Sequence, residues 1–114
     1  MIDSLKISSK EVQKLFDIEE NHFCDLKSIE VSPGKLSKAL AAFSNAEGGE
    51  LFIGIEDDPR EWKGFSSIES ANAHLQVFDS LFPLGSDYQY QFLENENETG
   101  LVLKVQVAKT RDLK

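Results

Sequence analysis

The chain has 114 residues, the length of one domain, of which 40% are hydrophobic and 28% charged. Its formal net charge of −8 argues against general binding to nucleic acid, because such binding needs Lys and Arg to replace the counterions of the phosphates. The excess of carboxylates serves solubility, and it also leaves room for a site at which acids hold a divalent cation that meets a phosphate.

Composition also bounds the location of the protein. No apolar run approaches roughly 18 residues, so we expect no membrane-spanning helix and no membrane partner. The single cysteine excludes an internal disulfide and suits a reducing compartment, which predicts a cytoplasmic protein. We expect one domain over residues 1–114. The basic stretch after the last predicted strand predicts that this domain is the N-terminal part of a longer protein.

The first predicted elements are a helix and a strand. Ser8 lies three residues before Glu11 and forms a capping box, which predicts a short helix after it. Residues 23–29 form a candidate strand. Because alternate residues of a strand share a face, Asp25 and Lys27 should point to the same side of the sheet.

A second helix and a buried strand follow. Ser32 is a typical N-cap and Pro33 a typical first helical residue, while Gly48 should close the helix. Residues 50–56 are apolar on both faces, so we expect a central strand. Gly54 within it suits the close approach of another backbone or of a ligand.

The next segment predicts a short strand and a third helix. Residues 61–65 are a short return strand that carries Trp62. Ser66 and Glu69 form a second capping box, and the apolar residues after them have helical spacing. His74 lies off this apolar stripe, so we expect it at the surface.

The last predicted elements are two strands that form a hairpin. Residues 88–92 and 101–107 alternate apolar and polar side chains, and residues 95–100 form a polar, acidic turn between them. The first strand carries a row of aromatic residues, Tyr88, Tyr90 and Phe92. This row could stack bases, but packing in the core is the favoured use. The order is a helix followed by β-α-β-α-β-β, which predicts an α+β fold.

The acid-x-Lys pattern of Asp25 and Lys27 has two interpretations. On a strand, this spacing is typical of sites that cleave phosphodiesters: the acid holds a metal, and the ammonium orients a water or stabilises charge on the phosphate. The alternative is a solvated strand face with a local ion pair. The two residues alone do not distinguish these alternatives.

Two longer blocks of the sequence carry a family resemblance. Residues 20–28 read ENHFCDLKS, and residues 42–58 read AFSNAEGGELFIGIEDD. They resemble the E-x4-E-F-K and A-F-A-N-T-x-G-G-x-L-x-I-G-V-x-D-D patterns of the Schlafen AlbA_2 domain family. The resemblance spans residues 16–107 and includes the order of the elements. It implies an Alba-like, Schlafen-core-like mixed sheet with helices packed on it.

The resemblance also implies a site. In Schlafen nucleases three carboxylates cleave RNA, notably transfer RNA, with a divalent metal. Carried over by position, these carboxylates fall on Glu20, Asp25 and Asp57, and the lysine of the first block on Lys27. This implies a metal-dependent endoribonuclease with Mg²⁺ or Mn²⁺ as cofactor and with RNA in preference to DNA as partner. Asp25 replaces the usual Glu and withdraws its carboxylate by one C–C bond, about 1.5 Å.

Two further functions stay open on the sequence. The first is a non-catalytic DNA- or RNA-binding or regulatory module, whose basic surface would have to come from a further region or from a homodimer. The second is an interaction or dimerisation module in which the acids serve only solubility. Nucleotide binding lacks support, because the sequence has no Gly-rich loop that ends in Lys-Ser/Thr.

Overall fold

The computed structural model describes residues 4–17, 24–45, 48–56, 60–81 and 88–108. The elements, in chain order, are β1 (Ser4–Ile7), α1 (Ser9–Phe16), β2 (Cys24–Lys27), α2 (Pro33–Asn45), β3 (Gly49–Ile53), β4 (Ile55–Glu56), β5 (Glu61–Trp62), a short 3₁₀ helix (Glu69–Ala71), α3 (Asn72–Leu81), β6 (Tyr88–Asn95) and β7 (Leu101–Val107).

Five of the strands form one mixed sheet in the order β1-β6-β7-β3-β2. The pairs β1–β6 and β2–β3 are parallel, whereas β3–β7 and the hairpin β6–β7 are antiparallel. The strands β4 and β5 form a separate antiparallel pair. The helix α2 makes the crossover between the parallel strands β2 and β3, as a parallel pair requires. The predicted α+β class with a mixed sheet is confirmed.

The predicted element order lacked the first strand. The segment before α1 contains this strand: β1 pairs in parallel with β6, from Ser4 opposite Phe92 to Ile7 opposite Asn95. Within β1 only Ile7 is buried, and Leu5 is 54% exposed. A four-residue strand at the sheet edge with one buried side chain gives no clear alternation, so the pattern could not reveal it.

Apolar side chains cover both faces of the sheet. One cluster lies under α2 and α3 and contains Leu36, Leu40, Phe43, Leu51, Ile53, Phe65, Ala71, Phe78, Phe92, Leu103, Val105 and Val107. The other lies on the side of α1 and β4–β5 and contains Ile7, Val12, Leu26, Phe52, Ile55, Trp62, Leu93 and Val102. Consecutive strand residues divide between the clusters, because strand side chains alternate in direction.

The caps of the first two helices follow the predictions. The Glu11 amide donates to Ser8 Oγ at 3.2 Å, and the Lys35 amide donates to Ser32 Oγ at 3.3 Å. After the end of α2, the Gly48 amide donates to a carbonyl of the last helical turn at 2.8 Å. Each helix therefore starts at the serine cap that its sequence predicts, and α2 is closed by Gly48.

The start of the third helix differs from the prediction. The predicted capping pair, Ser66 and Glu69, does not cap the helix. Ser67 and Ser70 exchange hydrogen bonds instead: the Ser70 amide donates to Ser67 Oγ at 3.3 Å, and the Ser67 amide donates to Ser70 Oγ at 3.2 Å. Ile68, which precedes the 3₁₀ helix, makes no side-chain cap. A 3₁₀ turn then leads into α3. Ser66 and Ser67 are adjacent and carry the same hydroxyl group. The sequence pattern selected Ser66, whereas the hydrogen bonds use Ser67.

The predicted strand over 50–56 is divided at Gly54. This residue has φ of 122°, and its amide donates to the Lys27 carbonyl at 2.8 Å. Its carbonyl accepts from the amides of Lys63 and Gly64, both at 2.9 Å. The prediction that another backbone approaches Gly54 is confirmed, and this approach turns the chain out of the main sheet into β4.

Candidate functional site

Asp25 and Lys27 project from the same side of β2, an edge strand of the sheet. Lys27 Nζ lies 3.0 Å from Asp25 Oδ2, and the Asp25 side chain is 17% and the Lys27 side chain 31% exposed. Leu26 between them is buried in the cluster on the opposite face. The predicted alternation is confirmed, and the two charged groups form an ion pair that solvent still reaches.

A second polar contact lies where β2 ends. Ser28 Oγ donates to Glu56 Oε1 at 2.9 Å and accepts from the Glu30 amide at 3.1 Å. The bond from the Gly54 amide to the Lys27 carbonyl holds β4 beside this end of β2. Glu56 therefore lies next to the strand that carries the ion pair.

The sequence did not identify Ser28 and Glu56 as partners. Glu56 was one of three consecutive acids, and the resemblance selected only Asp57 among them. One sequence signal could have found it: Ile55 is apolar and should be buried, so strand alternation turns Glu56 to the other face. Its pairing with Ser28 depends on how Gly54 joins β4 to β2, which is a tertiary contact.

The remaining predicted site residues, Glu20 and Asp57, lie outside the described residues. Among the residues that the structure describes, no group of three or more His, Cys, Asp or Glu side chains could hold a metal ion. Asp25 and Glu56 are carboxylates, the ligand type that Mg²⁺ and Mn²⁺ prefer. Their ligand chemistry therefore suits a divalent cation, and such a cation would contact the same Asp25 carboxylate as Lys27 does.

His74 on α3 is half-buried and not a surface residue as predicted. Both of its ring nitrogens are buried, and neither makes a hydrogen bond of ordinary geometry within the described part of the chain. The ring packs edge-on against Phe65, with 5.2 Å between ring centroids. Burial lowers the pKa of His74 below the ordinary 6.5, and the nearby backbone carbonyls of Val31 and Ile29 partly offset this effect. The imidazole is therefore held in an environment that favours its neutral form.

The aromatic row on β6 faces the core, as favoured from the sequence. Phe92 is fully buried, and Tyr88 and Tyr90 pack against the cluster under α2 and α3. The Tyr88 hydroxyl donates to Asp79 Oδ1 at 2.8 Å. Burial, together with this acceptor, raises the pKa of Tyr88 to about 12. The row is thus engaged within the protein.

Fold and site together define a small α+β domain with charged residues at one edge of a mixed sheet. A family model described as Schlafen, AlbA_2 matches residues 19–114, and the chain belongs to this family. The match begins after α1, so β1 and α1 precede it. No curated protein matches the chain. Membership of the family indicates a domain with a role connected to nucleic acid.

The described helices also bear on membrane association. None of the helices within the described ranges is long and apolar enough to cross a membrane.

Proposed function

We propose that the chain is a divalent-metal-dependent nuclease domain that acts on RNA, with a site made of Glu20, Asp25, Asp57 and Lys27. The observation that carries this proposal is the Asp25–Lys27 pair, with 3.0 Å between its charged atoms on an edge strand. The pair places the Asp25 carboxylate, an oxygen ligand suited to hard cations, beside the Lys27 ammonium. Both lie on an edge strand, where a phosphate of the RNA backbone has access. Family membership supports a nucleic-acid substrate.

The carboxylates and the lysine of the proposed site have different chemical roles. Glu20, Asp25 and Asp57 would hold Mg²⁺ or Mn²⁺, which supplies Lewis-acid chemistry and an activated water when bound. The Lys27 ammonium has three N–H donors, so it can keep its bond to Asp25 and still donate to a phosphate oxygen. There it stabilises the negative charge that grows during cleavage.

Ser28 and Glu56 support the same end of the strand. Their hydrogen bond at 2.9 Å joins the end of β2 to β4. Asp57 directly follows Glu56 in the sequence, and Lys27 directly precedes Ser28. A bond between the neighbours of two proposed site residues supports the proposal that the acid after β4 acts with the pair on β2.

The test is cleavage of transfer RNA and of single-stranded RNA with Mn²⁺ or Mg²⁺. We expect the wild-type chain to cleave at least one of these substrates, and Glu20→Gln and Asp57→Asn each to abolish cleavage. Their melting temperatures should stay within about 2 °C of wild type, because both changes keep side-chain size. Gel analysis of the products and thermal denaturation measure the two effects.

The matched control is Glu11→Gln on α1. Glu11 is exposed, and α1 packs on the face of the sheet opposite to Asp25 and Lys27, so Glu11 is an acid outside the proposed site. This variant should cleave as the wild type does. The proposal fails if high concentrations of wild-type protein leave all substrates intact with both metals, or if Glu11→Gln loses as much activity as Asp57→Asn.

One observation also favours a non-catalytic nucleic-acid-binding module. The Asp25 carboxylate has a cationic partner in Lys27, so the pair is balanced in charge without a metal. This function predicts binding that survives EDTA and weakens steeply with salt. The nuclease predicts instead that Mn²⁺ raises the melting temperature of the wild type but not of Asp57→Asn. Absence of both effects would favour the interaction module.

A further inference from the structure

A side chain joins the end of α1 to the segment that leads into β5. Arg60 Nη1 donates to the Phe16 carbonyl at 2.9 Å, although the two residues lie 44 positions apart in the sequence. Phe16 is the last residue of α1, and Arg60 is half-buried. The last carbonyls of a helix have no partner within the helix and carry partial negative charge, so a guanidinium stabilises them. The bond therefore fixes the point at which the chain leaves α1.

Both ends of this bond rest on the same apolar cluster. Phe16 packs against the cluster on the side of α1 and β4–β5, and Trp62, two residues after Arg60, is buried in it. Trp62 pairs with Ile55 across β4–β5, and its indole donates to the Gly100 carbonyl at 3.1 Å. The donor and the acceptor are thus both attached to held backbone. The bond can therefore keep α1 and the start of β5 at a set separation.

The two segments that this bond joins lead to two acids of the proposed site. Glu20 follows Phe16 by four residues, and Asp57 precedes Arg60 by three. Acids that share one cation repel one another before it binds, so contacts outside the acids have to hold their backbones together. Loss of such an outer contact typically lowers metal affinity by about 10- to 100-fold. The Ser28–Glu56 bond ties the Asp57 segment to β2, and Arg60 ties it to the segment of Glu20.

We propose that Arg60 is a positioning residue of the candidate site. Through the Phe16 carbonyl it keeps the segment that carries Glu20 beside the segment that carries Asp57, so that both acids can reach one divalent cation. This inference rests on the proposed nuclease function. Arg60 acts through the backbone, whereas the acids and Lys27 meet the cation and the phosphate.

The test compares Arg60→Met with the wild type in Mn²⁺ binding and in RNA cleavage. Met keeps a long apolar side chain at the half-buried position and removes the donor. We expect Mn²⁺ affinity, measured by isothermal titration calorimetry, and kcat each to fall by about tenfold, with KM for RNA within about twofold of wild type. Arg60→Lys keeps a cationic donor on a long side chain and should recover part of both losses.

The matched control loosens the other end of the same helix. The Ser9 amide and the Ser9 hydroxyl both donate to Glu96 Oε1 at 2.7 Å, and Glu96 lies exposed in the turn between β6 and β7. Glu96→Ala removes this contact at the start of α1. Both Glu96→Ala and Arg60→Met should lower the melting temperature, but only Arg60→Met should weaken Mn²⁺ binding and kcat. Equal losses in the two variants overturn the proposal, because any loosening of α1 would then have the same effect.

The other outcomes are also decisive. Arg60→Met with wild-type Mn²⁺ affinity and kcat overturns the positioning role and leaves the nuclease proposal standing. A raised KM with unchanged kcat and a smaller salt dependence overturns it as well, since Arg60 would then contact the RNA phosphates. A wild type that neither binds Mn²⁺ nor cleaves overturns both proposals. If Arg60→Met does not fold, Arg60→Gln replaces it, because its amide is too short to reach the place of Nη1 and the same losses are expected.

Discussion

The Asp25–Lys27 pair lies in a position where solvent still reaches both charges, at 17% and 31% exposure. An ion pair that solvent reaches adds less to folding than a fully buried one, because water and salt screen it and ordering two side chains costs entropy. Folding stability alone therefore gives little reason for two charged side chains on this face of β2. We therefore expect the pair to matter for ligands more than for folding.

This expectation can be measured with a double-mutant cycle. Asp25→Asn, Lys27→Met and the double variant should show a coupling free energy of only about 0.5 kcal/mol by urea denaturation. Each single variant should nevertheless lose cleavage activity under the nuclease proposal. The exposed pair Glu61–Lys63, with 3.5 Å between its charged atoms, serves as a reference cycle. A coupling above about 2 kcal/mol would show that Asp25 and Lys27 are a structural pair.

The placement of individual side chains was predictable from the sequence where its cause was local. The common direction of Asp25 and Lys27 follows from strand alternation, and the cap at Ser8 follows from its spacing to Glu11. His74 was misplaced, because helical periodicity defines only the face toward the main core. The His74 ring packs against Phe65, which precedes the helix, and no local pattern announces that contact.

At the scale of elements, the junction of β4, β5 and β7 depends on backbones that approach closely. Gly64 has φ of 54°, and a Cβ atom added to it would lie 2.5 Å from the Leu101 nitrogen. Phe65 and Leu101 exchange backbone hydrogen bonds at 2.7 and 2.8 Å directly beside it. The Trp62 indole also donates to the Gly100 carbonyl at 3.1 Å. The small sheet thus joins the main sheet through this contact.

Gly64→Ala should therefore destabilise the fold by about 3 kcal/mol, because the methyl group meets backbone that cannot move without breaking these bonds. The matched control is Gly34→Ala in the first turn of α2, where an added Cβ meets nothing within 4 Å. That variant should be unchanged or more stable by about 0.5 kcal/mol. Equal urea midpoints for both variants would show that the backbones at Gly64 and Leu101 can move apart without loss of stability, and the prediction would be wrong.

The elements themselves were predictable where their periodicity was long. The helix α2 and the hairpin β6–β7 have several turns or alternations, and both form as expected. The strand over 50–56 was too long in the prediction, because an apolar run conceals a break that Gly54 makes through bonds to distant backbone. Element type was thus readable from side-chain spacing, whereas element boundaries depended on tertiary hydrogen bonds.

At the scale of the whole molecule, the charge of −8 is carried on a small surface. Like charges on a compact chain repel one another, and this repulsion is relieved when the chain unfolds. Salt screens it, since the Debye length falls to about 10 Å at 0.1 M. Self-repulsion is therefore a measurable part of the stability of this domain.

We expect the melting temperature to rise by about 2–3 °C when NaCl is raised from low to moderate concentration, equivalent to about 0.5 kcal/mol. A variant with Glu30, Glu69 and Glu98 changed to Gln should respond less, because these exposed acids contribute to the excess. Differential scanning calorimetry measures both responses. A melting temperature that falls with salt would show that attractive ion pairs outweigh the repulsion.

The parallel pairing of β1 with β6 has a consequence for the order of assembly. During synthesis β1 leaves the ribosome before the other described strands, but Ser4 must wait for Phe92 before it gains a partner. The unit β2–α2–β3 can close much earlier, since its parallel strands are joined by a single helix. The strand β1 is therefore the last of the five to join the sheet. A nascent chain that ends before the β6–β7 hairpin leaves β1 unpaired.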